Sequence, residues 1–285
     1  MYFGCHISAA GGVDQAPARA RDEGAEVFQF FSRSPRGGPA PRLTKDIIEQ
    51  WSAGLKQNNI KASYIHAPYY INFASTNNRI RFGSIQVIRQ ELERGSLLGV
   101  TALMTHLGSA KDVGEVKGRQ MVIDGLAKML KGYQGQTRFL IENSAGSGQV
   151  IGDTFEEIGE IIKKTEKQLK KHNVIGVCLD TQHAFASGYD WRRSINDVLK
   201  KFDQTIGLKR LVIMHANDSL SDFGSHVDRH ADIGQGKMGK KVFEQLIKNP
   251  KLRKVNLLLE TPENTVMTYK KAIQFFKQVR DGRSK

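Results

Sequence analysis

The stretch VNLLLE, residues 255–260, runs almost wholly apolar and then stops on a carboxylate. Near-continuous apolar runs of this length suit a parallel strand covered on both faces, so the acid at its end calls for a reason. Seven further segments have the same strand character: 2–6 (YFGCH), 26–31 (EVFQFF), 61–66 (KASYIH), 101–106 (TALMTH), 137–142 (TRFLIE), 174–180 (VIGVCLD) and 210–215 (RLVIMH). Helical patterns lie between them at 12–23, 44–57, 79–98, 116–131, 154–171, 192–204 and 239–248, and a last one follows at 264–280. The fifth carries a start signature, with Asp153 as the cap and Glu156 three residues on. Eight β units, each followed by an α unit, predict an α/β fold: one domain over 1–285, closed as a (β/α)8 TIM barrel. An open doubly wound sheet has the same alternation but usually fewer strands.

The six later strands end, in order, on His66, His106, Glu142, Asp180, His215 and Glu260, each about 40 residues from the next. In a barrel all C-terminal strand ends face one mouth, where active sites of this architecture sit. Six residues distant in sequence would therefore converge there. All are metal-binding types, and imidazole with carboxylate but no thiolate suits Zn, Mn or Fe in a catalytic site. Three loop residues join them: His183, three after Asp180, and Asp228 with His230, which an extended backbone would point the same way. Local spacing alone leaves these three open between ligand and structural roles. Nine ligands exceed the needs of one ion. Two or three ions sharing bridging carboxylates fit the number, and such clusters serve in-line displacement at phosphorus.

Charge points the same way. The chain has 43 Lys+Arg against 29 Asp+Glu, a net charge of +14, which favours a polyanionic partner, nucleic acid before acidic membrane. Part of the excess, as in KKTEKQLKKH (163–172), reads as the solvated side of a helix. No run approaches 18 apolar residues, so no membrane span is expected. The N-terminus enters a strand at once, leaving no room for a secretion or transit signal, and the two cysteines, Cys5 and Cys178, sit far apart in apolar runs as reduced core thiols. A cytoplasmic protein is expected.

Among weaker motifs, ENSAGSGQV (142–150) lacks the Gly-Lys-Ser/Thr ending of a phosphate loop and reads as a flexible loop at the mouth. SRSPRGGPAPR (32–42), rich in Pro and Arg, is either a phosphate-contacting loop or plain surface. HAPYYINFAS (66–75) sets aromatics beside a candidate ligand, where they could stack on bases, with core packing the default for Phe73. His6 ends the first strand and reads as a supporting, substrate-facing or structural group; His172 and His226 read as surface residues.

With these segments in hand, the sequence resembles the endonuclease IV family of apurinic/apyrimidinic endonucleases along essentially its whole length. The resemblance is carried by HISAAGG (6–12), HAPY (66–69), THLGS (105–109), IEN (141–143), LDTQHAFASGYD (179–190), HANDS (215–219), VDRHADIGQG (227–236) and LLETP (258–262). It implies a barrel with about three zinc ions that cleaves double-stranded DNA on the 5′ side of abasic sites. His66, His106 and Glu142 would hold one ion, Glu142 with Asp180, His215 and Glu260 the second, and His183, Asp228 and His230 the third. Mn2+ or Fe2+ could replace some of the zinc. The mechanism so implied is attack on phosphorus by a metal-activated hydroxide oriented by the catalytic Glu142, leaving 3′-hydroxyl and 5′-deoxyribose phosphate ends, with trimming of blocked 3′ ends. Arg36 and Tyr69 stand where the family inserts side chains into the duplex, with Tyr70 as the substitute. Gln235 and Lys237 are candidate phosphate contacts, and His6 and Asn143 would support the ligands from behind. A monomer is expected. The chain departs from the family at Gln182, usually Cys, at Ala216, usually Leu, and at Gly37 and Gly38, where a Trp often follows Arg36. Two alternatives remain open from the sequence: a divalent-metal sugar isomerase or epimerase on the same barrel, and a DNA-binding protein without catalysis.

Overall fold

A computed structural model describes residues 1–261 and 267–283. Eight strands close into a parallel barrel: β1 (Phe3–His6), β2 (Val27–Phe30), β3 (Ala62–His66), β4 (Ala102–Thr105), β5 (Arg138–Glu142), β6 (Ile175–Asp180), β7 (Leu211–His215) and β10 (Asn256–Leu259). β1 pairs with β2 on one side and β10 on the other, with Gly4 opposite both Val27 and Leu258. The approach is close: a Cβ on Gly4 would lie 1.6 Å from the Val27 carbonyl oxygen, so no larger residue fits.

Alternation along each strand divides the apolar residues in two. Val27, Tyr64, Ala102, Met104, Leu140, Cys178, Ile213 and Leu258 pack together inside the barrel. The intervening positions, such as Phe28, Ile65, Leu103, Phe139, Val177 and Leu257, meet the helical layer. That layer comprises α1 (Ala16–Asp22), α2 (Lys45–Gln57), α3 (Asn78–Leu98), α4 (Glu115–Leu130), α5 (Phe155–Leu169), α7 (Ile195–Thr205), α8 (Lys240–Lys248) and α9 (Tyr269–Arg280). Residues 264–266, expected at the start of the last helix, lie outside the described residues, as does Pro262 of LLETP.

Four details differ from what the sequence suggests. α5 is capped by Thr154, whose hydroxyl accepts from the Glu157 amide at 3.2 Å, while the Glu157 carboxylate accepts from the Gly152 amide at 2.6 Å. The capping pair is thus one residue later than Asp153 and Glu156; Thr154 has the extended backbone a cap requires. A short helix, α6 (Thr181–Ala186), directly follows β6, and α7 begins only at Ile195, behind its Ser194 cap. β8 (Asp218–Ser219) and β9 (His230–Ala231) form an antiparallel ribbon over the mouth. The loop 143–152 is tied down: Ala110 donates to the Gln149 carbonyl at 2.7 Å and Ile151 to that of Gly108 at 2.9 Å. Both cysteines are buried and unpaired, and Phe73 is fully buried in the core.

Candidate metal centre

The alternation that fills the barrel also builds its mouth. Two residues beyond each interior position the next inward side chain is polar: Gly4 leads to His6, Val27 to Gln29, Tyr64 to His66, Met104 to His106, Leu140 to Glu142, Cys178 to Asp180, Ile213 to His215 and Leu258 to Glu260. Every strand therefore contributes one polar group to a single layer. Glu260, at the end of VNLLLE, is one of eight.

These groups meet. The Glu142 carboxylate, fully buried, lies with Oε2 3.0 Å from His66 Nε2 and 3.7 Å from His106 Nε2. Its Oε1 lies 2.9 Å from His215 Nδ1, which is also 2.8 Å from Glu260 Oε2 and 3.9 Å from Asp180 Oδ2. The loop residues close a third group, with His183 Nε2 3.3 Å from Asp228 Oδ2, His230 Nε2 3.4 Å from Asp228 Oδ1, and the two imidazole Nε2 atoms 3.3 Å apart. Asp180 touches this group as well, with Oδ2 3.9 Å from His230 Nε2. All nine residues named from the sequence thus converge, although Asp228 remains 57% exposed.

The donor set fits divalent ions in its supports as well as its composition. A ligating imidazole needs its remote nitrogen fixed by a hydrogen bond. His66 Nδ1 is 2.8 Å from the Ala67 carbonyl, and His183 Nδ1 is 3.0 Å from that of Asn143, so both turn Nε2 to the cluster. His215 is reversed, with Nε2 2.7 Å from Gln29 Oε1 and Nδ1 inward. His106 differs, because its Nδ1 is buried without a partner among the described residues. Asp180 caps α6, Oδ1 accepting from the His183 amide at 2.7 Å, and Asn217 donates to its Oδ2 at 2.6 Å. Asn143 accepts from the Asp180 amide at 2.7 Å, which places it behind Asp180. Cys178 also lies within reach of Glu142 and His215, but burial pushes its thiol up to about 12, so it stays protonated.

The electrostatics select for cations. Burial opposes charge on both partners, yet the facing histidines hold Glu142 and Glu260 well below the usual carboxylate range. Likewise burial disfavours the His183 cation, but Asp180 and Asp228 raise its pKa to about 10, and His215 is raised well above its ordinary value. Protons on imidazoles neutralise the carboxylates when nothing else does. Metal binding requires neutral imidazole and must expel those protons. Loading with zinc at pH 7 is therefore expected to release at least one proton per chain, and affinity to fall as the pH is lowered. Calorimetry in two buffers of different ionisation enthalpy measures this; a heat independent of the buffer would contradict it.

Sequence reading missed Gln29 and Asn217. Gln29 is fully buried and touches His6, His215 and Glu260; Asn217 also accepts from the Glu260 amide at 2.9 Å. The signal for Gln29 was a lone amide in an otherwise apolar run. Asp218 was missed too: it accepts from the backbone amides of Gly234, Gly236, Met238 and Gly239 at 3.0–3.2 Å, and so shapes the loop that follows His230.

The other candidates lie around this centre. Tyr69 is 73% exposed and packs against Phe31 at 5.2 Å between ring centroids; Tyr70 is partly exposed beside it. Arg36 is exposed on the neighbouring loop, which the Tyr69 amide joins through the Pro35 carbonyl at 3.3 Å. Gln235 and Lys237 are exposed on the loop shaped by Asp218, and Lys237 pairs with Asp222. His172 and His226 are exposed, and no helix among the described residues is long and apolar enough to cross a membrane.

Comparison with known proteins agrees with the barrel fold. A family model described as a xylose isomerase-like TIM barrel matches residues 17–279. The chain is 37% identical over 266 residues to a probable endonuclease 4 of Nitrosopumilus maritimus, covering 92% of this chain and 94% of the relative. It is 37% identical over 277 residues to a probable endonuclease 4 of Clostridium botulinum, covering 97% and 98%. The crystal structure of endonuclease IV from Thermus thermophilus superposes with a TM-score of 0.87 at 31% identity, covering 99% of this chain and 100% of that one.

Proposed function

The chain belongs to the endonuclease IV family within the xylose isomerase-like TIM barrels, and from that premise we propose that it is a DNA-repair endonuclease cutting double-stranded DNA 5′ to abasic sites. The observation that carries the proposal is the convergence of nine imidazole and carboxylate side chains at the barrel mouth. In this reading His66, His106 and Glu142 hold one ion. Glu142, Asp180, His215 and Glu260 hold a second, and His183, Asp228 and His230 a third. Zinc suits the donors, and Mn2+ or Fe2+ would be tolerated. When bound, the ions would supply Lewis acidity toward phosphate oxygens and a water of lowered pKa.

The protein's own residues do the rest. Glu142 spans the first two groups through its two oxygens, which makes it the residue that fixes where the attacking water sits relative to the phosphorus. Cleavage leaves a 3′-hydroxyl and a 5′-deoxyribose phosphate, and blocked 3′ ends are trimmed in the same site. Arg36 and Tyr69, on adjoining loops, enter the duplex at the lesion, where unstacking is least costly because a base is already missing. Gln235 and Lys237 contact backbone phosphates. The protein acts as a monomer in the cytoplasm.

Incubation of zinc-loaded protein with an end-labelled abasic duplex tests the activity: incision 5′ to the lesion with an extendable 3′-hydroxyl is expected, and incision 3′ to it would overturn the reading. Selectivity has its own test. Tyr69→Ala is expected to weaken binding to abasic duplex by about 1–3 kcal/mol, the worth of one aromatic contact. Intact-duplex binding should keep its affinity and its salt slope of about −0.9 per phosphate contacted. Titration of both duplexes at several salt concentrations measures this. Equal loss on both would mean that Tyr69 only supports the fold, and the penetrating role would pass to Tyr70.

A further inference from the structure

Gln29 contacts three other members of the mouth layer, on three strands. Its Oε1 is 2.7 Å from His215 Nε2. Its Nε2 faces Glu260 Oε1 on one side and His6 Nδ1, at 3.2 Å, on the other. The amide could in principle be turned over, but Glu260 forbids it. A carboxylate that serves as a metal ligand carries no proton and only accepts, so the group facing it must be the NH2. That one constraint orders the remaining hydrogens. Oε1 must receive a proton from His215 Nε2, which leaves His215 Nδ1 as the nitrogen turned to Glu142, Asp180 and Glu260. The second N–H of the amide needs an acceptor, which His6 supplies only if its Nδ1 carries no proton. The proton of a neutral His6 then sits on Nε2, for which no protein partner exists among the described residues.

His6 also lines a cavity of about 900 Å3 beside the metal centre, together with Gly12, Phe31, Arg33, Tyr69 and Glu260. We propose that Gln29 is a positioning residue which sets two histidine tautomers at once: it commits His215 to metal binding through Nδ1 and makes His6 a neutral Nε2–H donor into this cavity, for an oxygen of the DNA backbone. The proposal rests on the functional reading above for the identity of the metal and of the acceptor. The tautomer assignment rests on the hydrogen-bond geometry together with Glu260 being a carboxylate rather than an acid.

Long-range 1H–15N spectra of the zinc-loaded protein with labelled histidine test it without any substitution. His6 and His215 are both expected as Nε2–H tautomers at neutral pH; an Nδ1–H form of either overturns the proposal. Gln29→Leu, of similar size but without polar atoms, is expected to weaken zinc binding at one of the sites by about 10- to 100-fold and to mix the His6 tautomers. Zinc affinity within twofold of wild type, measured by chelator competition, also overturns it. Should the variant fail to fold, the wild-type spectra still decide. A wild type with these tautomers that never nicks abasic DNA would sink the proposed function and leave the role of Gln29 standing. One that nicks while His215 carries Nδ1–H would do the reverse.

Discussion

Glu142→Gln is expected to lower nicking of abasic duplex by about three orders of magnitude, or about 4 kcal/mol in the barrier, with the fold intact. The carboxylate is fully buried and is shared between His66 and His106 through one oxygen and His215 through the other. An amide of the same shape keeps the volume, so packing around Leu140 and Cys178 is undisturbed. It loses the negative charge that would bridge the two proposed cation sites, and one of its ends becomes a donor pointed at groups that require an acceptor. Thermal unfolding and turnover with saturating zinc, measured on the same preparation, separate the two effects. Near wild-type turnover in a metal-replete variant would remove Glu142 from the mechanism.

The second large effect is expected away from the metals. Glu91 on α3 is fully buried; its Oε1 lies 2.7 Å from Arg33 Nε, and its Oε2 accepts from the Ser32 hydroxyl at 2.5 Å. Arg94, one turn on, donates to the Ser32 carbonyl at 3.0 Å and the Pro41 carbonyl at 2.7 Å. Both ends of the loop that carries Arg36 are thus fastened to α3. Removing one partner of a buried ion pair leaves the other charge uncompensated, which costs about 3–5 kcal/mol. Glu91→Ala is expected to lower the melting temperature by roughly 10 °C and to reduce discrimination between abasic and intact duplex by releasing the loop. Arg33→Met in the same chain should recover part of the stability, since the buried Arg33 charge is then gone and Arg94, 3.5 Å from the lost carboxylate, keeps the Ser32 and Pro41 carbonyls, but not the discrimination. An unchanged melting temperature for Glu91→Ala would show that Arg33 finds water instead.

How much of this was legible depends on the range of the signal. The barrel followed from eight apolar runs alternating with helical patterns, which are local properties of the chain. The six strand-end candidates were legible because β3 to β7 and the last strand each stop at or just before a polar residue, so strand end and last inward position coincide or nearly so. In β2 they do not. Its apolar run continues to Phe31, two residues past Gln29, and the reading placed the strand end there, hiding the inward amide. Only the alternation Val27, Gln29 against Phe28, Phe30 could have exposed it. His183, Asp228 and His230 were undecided by spacing, because the ribbon of β8 and β9 that brings Asp228 and His230 over His183 is a long-range pairing. The buried link from Glu91 to Arg33 joins residues on different elements, and nothing in either segment announces it. The cap of α5 lies one residue past its expected place because Asp153 and Thr154 are both capping types and either of Glu156 and Glu157 offers a carboxylate at a suitable spacing, though only Glu157 uses it. The loop 142–150 read as flexible from its glycines, but its partner is a backbone segment more than 30 residues away.

The central claim, that these nine side chains form one multi-metal centre that cuts abasic DNA, is tested most directly by stepwise zinc titration of metal-free protein. Nicking of an abasic duplex and zinc content by elemental analysis are followed on the same samples. The account predicts that nicking appears only as the centre fills and reaches its plateau at about three ions per chain. A plateau at one ion per chain, or full loading with the abasic duplex left intact, would contradict it.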